Sequence, residues 1–255
     1  MGSRFSAVVP AAGALARSRA RRCFINMEET IPRAWLHPAS LGEAAAVQRQ
    51  LAERASAEDR LGPVRRVAGV DVSQKWRDPE GLIFAAVVLL DAATLQVVDA
   101  AHATRRSDFP YVPGFLGFRE VPCLLDAFAR LETMPDLIFV DGHGTSHPRR
   151  LGIATHLGVL LDRPTIGVAK SILVGQPAGP LAPEPGSRVP LVWRNREIGL
   201  VLRTKLRVNP VYVSTGHRVS LPTAAEWVMR ATKGYRLPEP TRQAHLSANA
   251  FRKLQ

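Results

Sequence analysis

The stretch "DLIFVDGHGTSHPRRLGIATHLGVLLDRPTIGVAKS", residues 136–171, decides the fold. Two short apolar runs, "LIFV" and "TIGVA", flank the segment "HLGVLLD", whose apolar residues recur at helical spacing. A strand–helix–strand unit of this kind pairs its two strands in parallel, with the helix packed over one face. The stretch therefore predicts an α/β fold whose sheet contains at least one parallel pair.

The chain upstream of this unit predicts a run of antiparallel strands. Three segments have the length and apolar content of strands: "VRRVAGVDVSQKW" (64–76), "GLIFAAVVLLD" (81–91) and "LQVVDAAHATRR" (95–106). Because the links between them are short, and parallel strands need long crossovers, we expect an antiparallel meander. The second segment is apolar throughout, which predicts that both of its faces are covered.

Helices are predicted on both sides of the meander. Residues 40–59 begin with Ser40 and carry Glu43 three positions later, which is the pattern of a capping box. Residues 117–132 have helical spacing despite Pro122, which we place near the first turn, where proline is tolerated.

Two more strands and a helix are expected in the C-terminal part of the chain. The strands are "IGLVLRTKLRV" (198–208) and "VYVSTG" (211–216), and "TAAEWVMRATKG" (223–234) is a helix ending at Gly234. Before them, the proline and glycine content of "GQPAGPLAPEPGSRVP" (175–190) indicates a surface loop. The whole pattern predicts one α/β domain, with a meander followed by alternating helices and strands.

Composition narrows the class of protein. The chain has 255 residues, of which 46% are hydrophobic, so it can bury one sizeable core. No apolar run approaches the roughly 20 residues of a membrane span, so we expect a soluble protein. The net charge of +12 favours a polyanionic partner, nucleic acid before a membrane surface. Cys23 and Cys123 show no pairing pattern, which suits a reducing, cytoplasmic environment.

The first 26 residues differ from the remainder. They hold five arginines and no acidic residue, and their alanine and arginine content resembles a transit peptide or a weak secretory signal. Because no clear cleavage site follows, we favour a disordered extension for residues 1–26, upstream of a natural start at Met27. The folded domain is then expected to span residues 27–255.

Two apolar strands end in an aspartate: "VAGVD" at Asp71 and "LIFVD" at Asp141. Either aspartate alone is typical of a residue that caps the following turn. Neighbouring strands would bring both carboxylates together, and like charges that close need a cation between them. Hard oxygen ligands suit Mg²⁺ or Mn²⁺, so the pair predicts a metal site.

Several other polar residues allow two interpretations each. Glu120, in the first turn of its predicted helix, is by default a helix-dipole residue, or else a third acid at the metal site. Tyr111, in the rigid turn "PYVPG", either packs in its loop or acts as a wedge between stacked bases. Arg203, Lys205 and Arg207 alternate along a predicted strand, as a solvated edge or a phosphate-contacting strip.

Six segments occur in the order found in the endonuclease V family, the deoxyinosine 3′-endonucleases. They are "VAGVDVS", "PYVPGFLGFRE", "VDGHGTSHPRRLGIATHLGV", "GVAKSIL", "YVSTGH" and "LPEPTRQAH". The chain resembles the family over roughly residues 40–250, and the second and third segments are the most specific. The resemblance implies a ribonuclease H-like fold, a mixed five-stranded sheet flanked by helices. It also implies Mg²⁺- or Mn²⁺-dependent cleavage at the second phosphodiester bond on the 3′ side of inosine.

Catalytic roles follow from the resemblance by position. Asp71, Glu120 and Asp141 match the metal-binding carboxylates of the family. His147 matches a nearby imidazole that assists attack or departure of the leaving group. Lys170, in "GVAKS", matches a lysine that reaches towards the scissile phosphate. Together these residues imply phosphodiester hydrolysis at a metal centre.

The resemblance also implies a pocket for a flipped base. Tyr111 matches a wedge that fills the gap left in the stack, and glycines let backbone amides approach the base. Such amides would donate to the carbonyl of hypoxanthine and repel the amino group of adenine. The substrate-binding residues implied are Pro110, Tyr111, Gly114, Leu116, Gly142, Gly144 and Leu173.

Two histidines are left open. Some relatives carry an aspartate where this chain has His245, which could ligate a metal, bridge to it through water or do neither. His143 is either a structural histidine satisfied by the backbone or part of the site.

We therefore expect an endonuclease acting on deoxyinosine-containing DNA in the repair of deaminated adenine, as a monomer by family default. An endoribonuclease acting on inosine in RNA is the alternative within enzymes, and sequence shows no groove that reads the 2′-hydroxyl. A non-catalytic nucleic-acid-binding module is the alternative outside enzymes. Such a module is expected to have lost one of the three carboxylates, and all three are present.

Overall fold

The computed structural model describes residues 27–75, 78 and 80–255. The proposed N-terminal extension and Cys23 lie outside the described residues. The helices are α1 Leu41–Arg54, α2 Leu116–Phe128, α3 Ile153–Leu161, α4 Leu221–Arg230 and α5 Glu239–Lys253. The strands are β1 Arg66–Gln74, β2 Leu82–Asp91, β3 Val97–Arg106, β4 Leu137–Val140, β5 Thr165–Ala169, β6 Gln176–Pro177, β7 Arg188–Trp193, β8 Arg196–Leu202 and β9 Val211–His217.

The strands of the described chain form one mixed sheet in the order β3-β2-β1-β4-β5-β9-β8-β7-β6. β1, β2 and β3 pair antiparallel, and β4 pairs parallel with both β1 and β5, so the meander and the parallel unit are confirmed. Within the described residues the sheet has nine strands rather than five. The expected surface loop over residues 175–190 contains β6 and the start of β7. Its prolines are tolerated because these strands lie at the edge of the sheet.

Helices cover both faces of the sheet. α2 and α3 pack on one face and α4 and α5 on the other. Alternate side chains of β4 enter the two cores: Ile138 and Val140 face α2 and α3, whereas Leu137 and Phe139 face α4 and α5. Burial on both sides explains why β4 and β2 read as unbroken apolar runs.

The helix boundaries partly differ from the sequence expectations. The N-cap is present, because Ser40 Oγ accepts a hydrogen bond from the Glu43 amide at 3.1 Å, while the Glu43 carboxylate accepts from the amide of Ala39 at 2.5 Å rather than from that of Ser40. α2, however, begins at Leu116, so Pro122 lies inside the helix and Glu120 lies in its second turn. Proline inside the helix leaves the carbonyl four residues earlier without its usual amide donor.

The residues that follow β8 form a turn rather than more strand. β8 ends at Leu202, and residues 203–210 lead into β9. Arg207 adopts a left-handed conformation with φ 60°, which no strand residue does. The alternation of Arg203, Lys205 and Arg207 therefore does not place them on one strand face.

The C-terminal helix α5 was not predicted, and it packs closely on β1 and β2. A Cβ on Gly69 of β1 would overlap the carbonyl of Pro240 in the first turn of α5. Glycine at this position lets the helix approach the strand. None of the described helices is both long and apolar enough to cross a bilayer.

Gly69→Ala is expected to lower the thermal unfolding midpoint, because overpacking at a tight contact costs about 1–3 kcal/mol. For a chain of this size that corresponds to roughly 2–12 °C. Gly179→Ala is the matched control, since nothing lies within 4 Å of a Cβ there. Differential scanning calorimetry of the two variants checks the expectation, and equal midpoints would contradict it.

Candidate active site

Asp71 and Asp141 lie side by side because β1 and β4 are parallel neighbours. Asp141 directly follows β4 as expected, whereas β1 continues past Asp71 to Gln74, so Asp71 lies within its strand. Val70 is in register with Val140, so Asp71 and Asp141 follow at corresponding positions. The Asp141 amide donates to the carbonyl of Val70 at 3.3 Å. Asp71 shares a strand face with Gly69, so its side chain lies on the α5 face of the sheet.

Two basic groups complete the cluster. His245 on α5 places its Nδ1 2.7 Å from Oδ2 of Asp71. One ligand atom from each of Asp71, Asp141 and His245 lies within 4.8 Å of the others. Lys170, the residue after β5, donates from its Nζ to the carboxylate of Asp141. Of the roles left open for His245, the structure therefore favours one at the metal site, because its imidazole contacts the Asp71 carboxylate.

Glu120 approaches the same carboxylates from α2. Burial, together with the negative charges of Asp71 and Asp141, raises its pKa to about 8, against the opposing charge of Arg119. Burial, followed by the charge of Asp141, also raises the pKa of Asp71. Like charges this close are compensated best by a cation. Oxygen donors with one imidazole fit Mg²⁺ or Mn²⁺.

A hydrogen-bond chain orients the imidazole of His245. Its Nε2 lies 3.2 Å from the side-chain nitrogen of Asn249, and Asn249 Oδ1 accepts from the Ser73 hydroxyl at 2.8 Å. Arg252 Nε donates to the same hydroxyl at 2.8 Å. The ring is therefore held with Nδ1 towards Asp71.

A mostly apolar cavity of about 160 Å³ shares its lining with the segment that follows Asp141. Tyr111 stands at this cavity with 65% of its surface exposed. Among the predicted substrate-binding residues, the structure brings together Tyr111, Gly114, Leu116, Gly142 and Leu173. The residues not predicted there include Gln48, Leu151 and Ile153.

Two of the predicted pocket residues lie elsewhere. Gly144 is buried against β9, and its amide donates to the hydroxyl of Ser214 at 2.9 Å, so that amide is not available to a base. A Cβ on Gly144 would overlap the carbonyl of Thr215, which explains the glycine by packing. Pro110 is exposed and does not line the cavity.

The loop that carries Tyr111 is fixed through one carbonyl. Gly114, with φ 80°, accepts at its carbonyl from Gln48 at 2.9 Å, from His147 at 2.9 Å and from Arg149 at 3.1 Å. The guanidinium of Arg149 also lies over the ring of Phe115, 4.3 Å from its centre. Three donors on one carbonyl hold the loop in a single position.

His147 belongs to this loop support and not to the carboxylate cluster. It is only 2% exposed, its Nε2 donates to Gly114 and its Nδ1 accepts from the amide of Arg149 at 3.2 Å. Burial lowers its pKa to about 4, so the ring is neutral near pH 7. Both ring nitrogens are engaged by the backbone, which differs from the expectation that the ring faces the chemistry.

His143 lines the cavity as a neutral ring. Burial lowers its pKa to about 4, against the opposing effect of the Asp141 charge. Its Nδ1 lies 3.0 Å from the hydroxyl of Ser146, which in turn bonds to Ser214 at 3.0 Å. His143 therefore has a structural partner and also lies at the site.

Sequence reasoning missed two residues that support the site. Gln48 shares the buried face of α1 with Val47 and Leu51, and a polar residue on an apolar helical face was the available signal. Arg236 donates to the carbonyl of Lys170 at 2.6 Å and to that of Pro210 at 2.8 Å. Nothing in the local sequence pattern indicates this long-range contact.

Known proteins resemble the chain over most of its length. The profile of the endonuclease V family matches residues 48–246. Endonuclease V of Rhodospirillum centenum is 64% identical over 219 residues, covering 86% of this chain and 91% of that protein. Endonuclease V of Gloeobacter violaceus is 54% identical over 211 residues, covering 83% and 86%.

Solved structures agree with the sequence comparison. Endonuclease V of Streptomyces avermitilis superposes with a TM-score of 0.81 at 44% identity, covering 88% of this chain and 96% of that one. The catalytic domain of human endonuclease V gives 0.78 at 33% identity, covering 84% and 96%. Endonuclease V of Ciona intestinalis, in complex with a 24mer DNA containing an inosine followed by a ribo-adenosine, gives 0.72 at 27% identity, covering 84% and 99%. These neighbours confirm the ribonuclease H-like fold, and the chain belongs to the endonuclease V family.

Proposed function

We propose that the protein is a divalent-metal-dependent endonuclease that recognises inosine in DNA. It cleaves the second phosphodiester bond on the 3′ side of the inosine, in the repair of deaminated adenine. The observation that carries the proposal is the cluster of Asp71, Asp141 and His245, with Glu120 near enough to sense both carboxylate charges, beside an apolar cavity that Tyr111 lines. The inosine-containing DNA bound by the Ciona intestinalis relative supports the choice of substrate.

Asp71, Asp141 and Glu120, with His245, are the residues that would hold Mg²⁺, or Mn²⁺ as its substitute. When bound, the ion supplies an activated water and neutralises charge on the phosphate. The chain provides carboxylates already gathered by neighbouring strands, so few groups need to move. Lys170 is 40% exposed at its side chain, which leaves its ammonium able to contact a phosphate oxygen as well as Asp141.

The cavity is proposed to take the flipped base. Tyr111 would occupy the gap in the stack, while Leu116 and Leu173 contact the faces of the base. The backbone at Gly142 can approach the base closely because it carries no side chain. Backbone amides would favour the hypoxanthine carbonyl over the adenine amino group.

His147 enters the proposal as a positioning residue. Its bond to Gly114, alongside those from Gln48 and Arg149, holds the loop on which Tyr111 stands. A neutral imidazole buried under a loop suits that role, because it donates one hydrogen bond and accepts another without adding charge.

A second substrate has a specific observation in its favour. The DNA in the Ciona intestinalis complex has a ribo-adenosine after the inosine, so that relative accommodates a ribose next to the base. By analogy, inosine-containing RNA is the second candidate substrate of this chain. Action in the cytoplasm, as a monomer, completes the proposal.

Asp71→Asn and Asp141→Asn are each expected to slow cleavage by about 100-fold or more, because each removes a charge that would hold the ion. Binding of the same DNA should change little. Single-turnover cleavage of labelled inosine-containing DNA and RNA, with Mg²⁺ and with chelator, measures the effect, and fluorescence anisotropy measures binding.

Glu226→Gln, which removes an exposed carboxylate on α4, is the control and should cleave at the wild-type rate. Near-wild-type turnover by either aspartate variant would exclude these residues as metal ligands. Cleavage by the wild type in chelator would exclude the metal requirement.

Tyr111→Ala is expected to slow cleavage of inosine in duplex DNA more than in single strands. A wedge replaces stacking worth about 1–3 kcal/mol per base, and only a duplex loses that much when a base flips. Tyr111→Phe keeps the ring and should preserve duplex cleavage. Parallel rate measurements on the two substrates decide, and equal losses on both would mean that Tyr111 only packs in its loop.

A further inference from the structure

We propose that residues 205–207, the basic turn, contact the phosphate backbone of the strand that carries the scissile bond. The proposal rests on the proposed function, because it identifies a further contact surface for the same substrate. It differs from the metal centre and the base cavity in its residues and in the elements that carry them. Lys205, Leu206 and Arg207 belong to neither site.

Sheet topology places the basic turn at the same end of the strands as the candidate metal site. The turn joins the end of β8 to the start of β9, and Leu202 is in register with Val211. The neighbouring pair of strands matches Ala169, the last residue of β5, with Tyr212. Lys170 therefore leaves the sheet at the same edge as the basic turn.

One side chain connects the turn directly to Lys170. The guanidinium of Arg236 donates to the carbonyl of Lys170 at 2.6 Å and to that of Pro210 at 2.8 Å. The hydroxyl of Thr204 donates to the carbonyl of Arg236 at 2.6 Å. The turn thus has a fixed position relative to the lysine that pairs with Asp141.

A second arginine closes the turn across its base. Arg203 donates from its guanidinium to the carbonyls of Val208 and Ala182. The side chains of Arg203 and Thr204 therefore anchor the start of the turn to backbone carbonyls. The three residues at the tip, 205–207, are exposed to solvent. Arg207 is kept there in a left-handed conformation, with φ 60°.

The tip has the chemistry of a nucleic-acid contact. Lys205 and Arg207 are exposed, and neither has an acidic partner within 4.0 Å among the residues the structure describes. Leu206 between them is 49% exposed, so the tip presents an apolar side chain to solvent between its two cations. Two cations around an apolar side chain suit phosphates flanking a sugar or base.

The test compares salt-dependent binding of two charge-neutralised variants. Lys205→Gln with Arg207→Gln removes the cations of the basic turn. Arg194→Gln with Arg196→Gln is the matched control, because it removes two exposed arginines at the opposite end of β8. Fluorescence anisotropy of labelled single strands, with inosine or with adenine at one position, gives affinity as a function of NaCl concentration.

For the basic-turn variant we expect the slope of log affinity against log salt to fall by about 1.4, which corresponds to two phosphate contacts on a single strand. The loss should be the same for the inosine and adenine strands, since phosphates carry no base identity. The control variant should keep the wild-type slope.

An unchanged slope in the basic-turn variant would overturn the proposal, and so would an equal fall in the control. The proposal would also be overturned if the basic-turn variant lost affinity for an acidic protein but bound DNA as the wild type does. The adenine strand separates this proposal from the proposed function. If the wild type bound the inosine and adenine strands equally and cleaved neither, the proposed function would be refuted. The difference in salt slope between the basic-turn variant and the wild type would still show whether the turn contacts phosphate.

Discussion

The mutual repulsion of three carboxylates is the constraint on which the remainder of the site depends. Parallel pairing of β1 and β4 fixes Asp71 next to Asp141, and α2 brings Glu120 near enough for both charges to raise its pKa. Burial strengthens the repulsion, because water screens it less. The fold compensates only in part, through Lys170 beside Asp141 and His245 beside Asp71. A divalent cation bound between the carboxylates would neutralise the remaining repulsion.

Tight packing maintains this arrangement from several sides. Gly69 admits α5 close to β1, and α5 in turn carries His245 to Asp71. Arg236 ties the backbone of Lys170 to the turn before β9. On the other side, the carbonyl of Gly114 is held by three donors, which fixes the loop beside the cavity. The candidate metal site and the proposed base cavity are thus built on packed elements that meet at one end of the central strands.

Local patterns in the sequence were sufficient for the central strands. β4 and β5 are short apolar runs bounded by polar residues, and the aspartates that follow the apolar runs of β1 and β4 indicated that the two carboxylates are neighbours. Sequence periodicity gave wrong strand boundaries where tertiary contacts override local preference. Arg203, Lys205 and Arg207 alternate as a strand would, yet the chain turns there because Arg203 closes it. β6 and β7 were hidden by prolines, which an edge strand tolerates.

Residue roles were harder to predict than strands, because they depend on partners distant in sequence. His147 resembles a catalytic imidazole by position, but its ring is bonded to Gly114 and Arg149. Gly144 lies in the same motif as Gly142, yet packing against β9 explains it. The contact between Gln48 and Gly114 joins residues 66 positions apart, which no local periodicity can reveal.

The most direct test of the central claim is the free energy of unfolding of the metal-stripped protein against pH, for wild type and Glu120→Gln. Because the folded-state pKa of Glu120 is raised to about 8, above its ordinary value of 4.5, its contribution is fully present below pH 4.5 and is lost as pH rises through 8. We expect the wild type to lose stability relative to the variant over that range, and saturating Mg²⁺ to restore it. A difference between the two proteins that depends on neither pH nor Mg²⁺ would contradict the claim that these carboxylates repel one another and hold a cation.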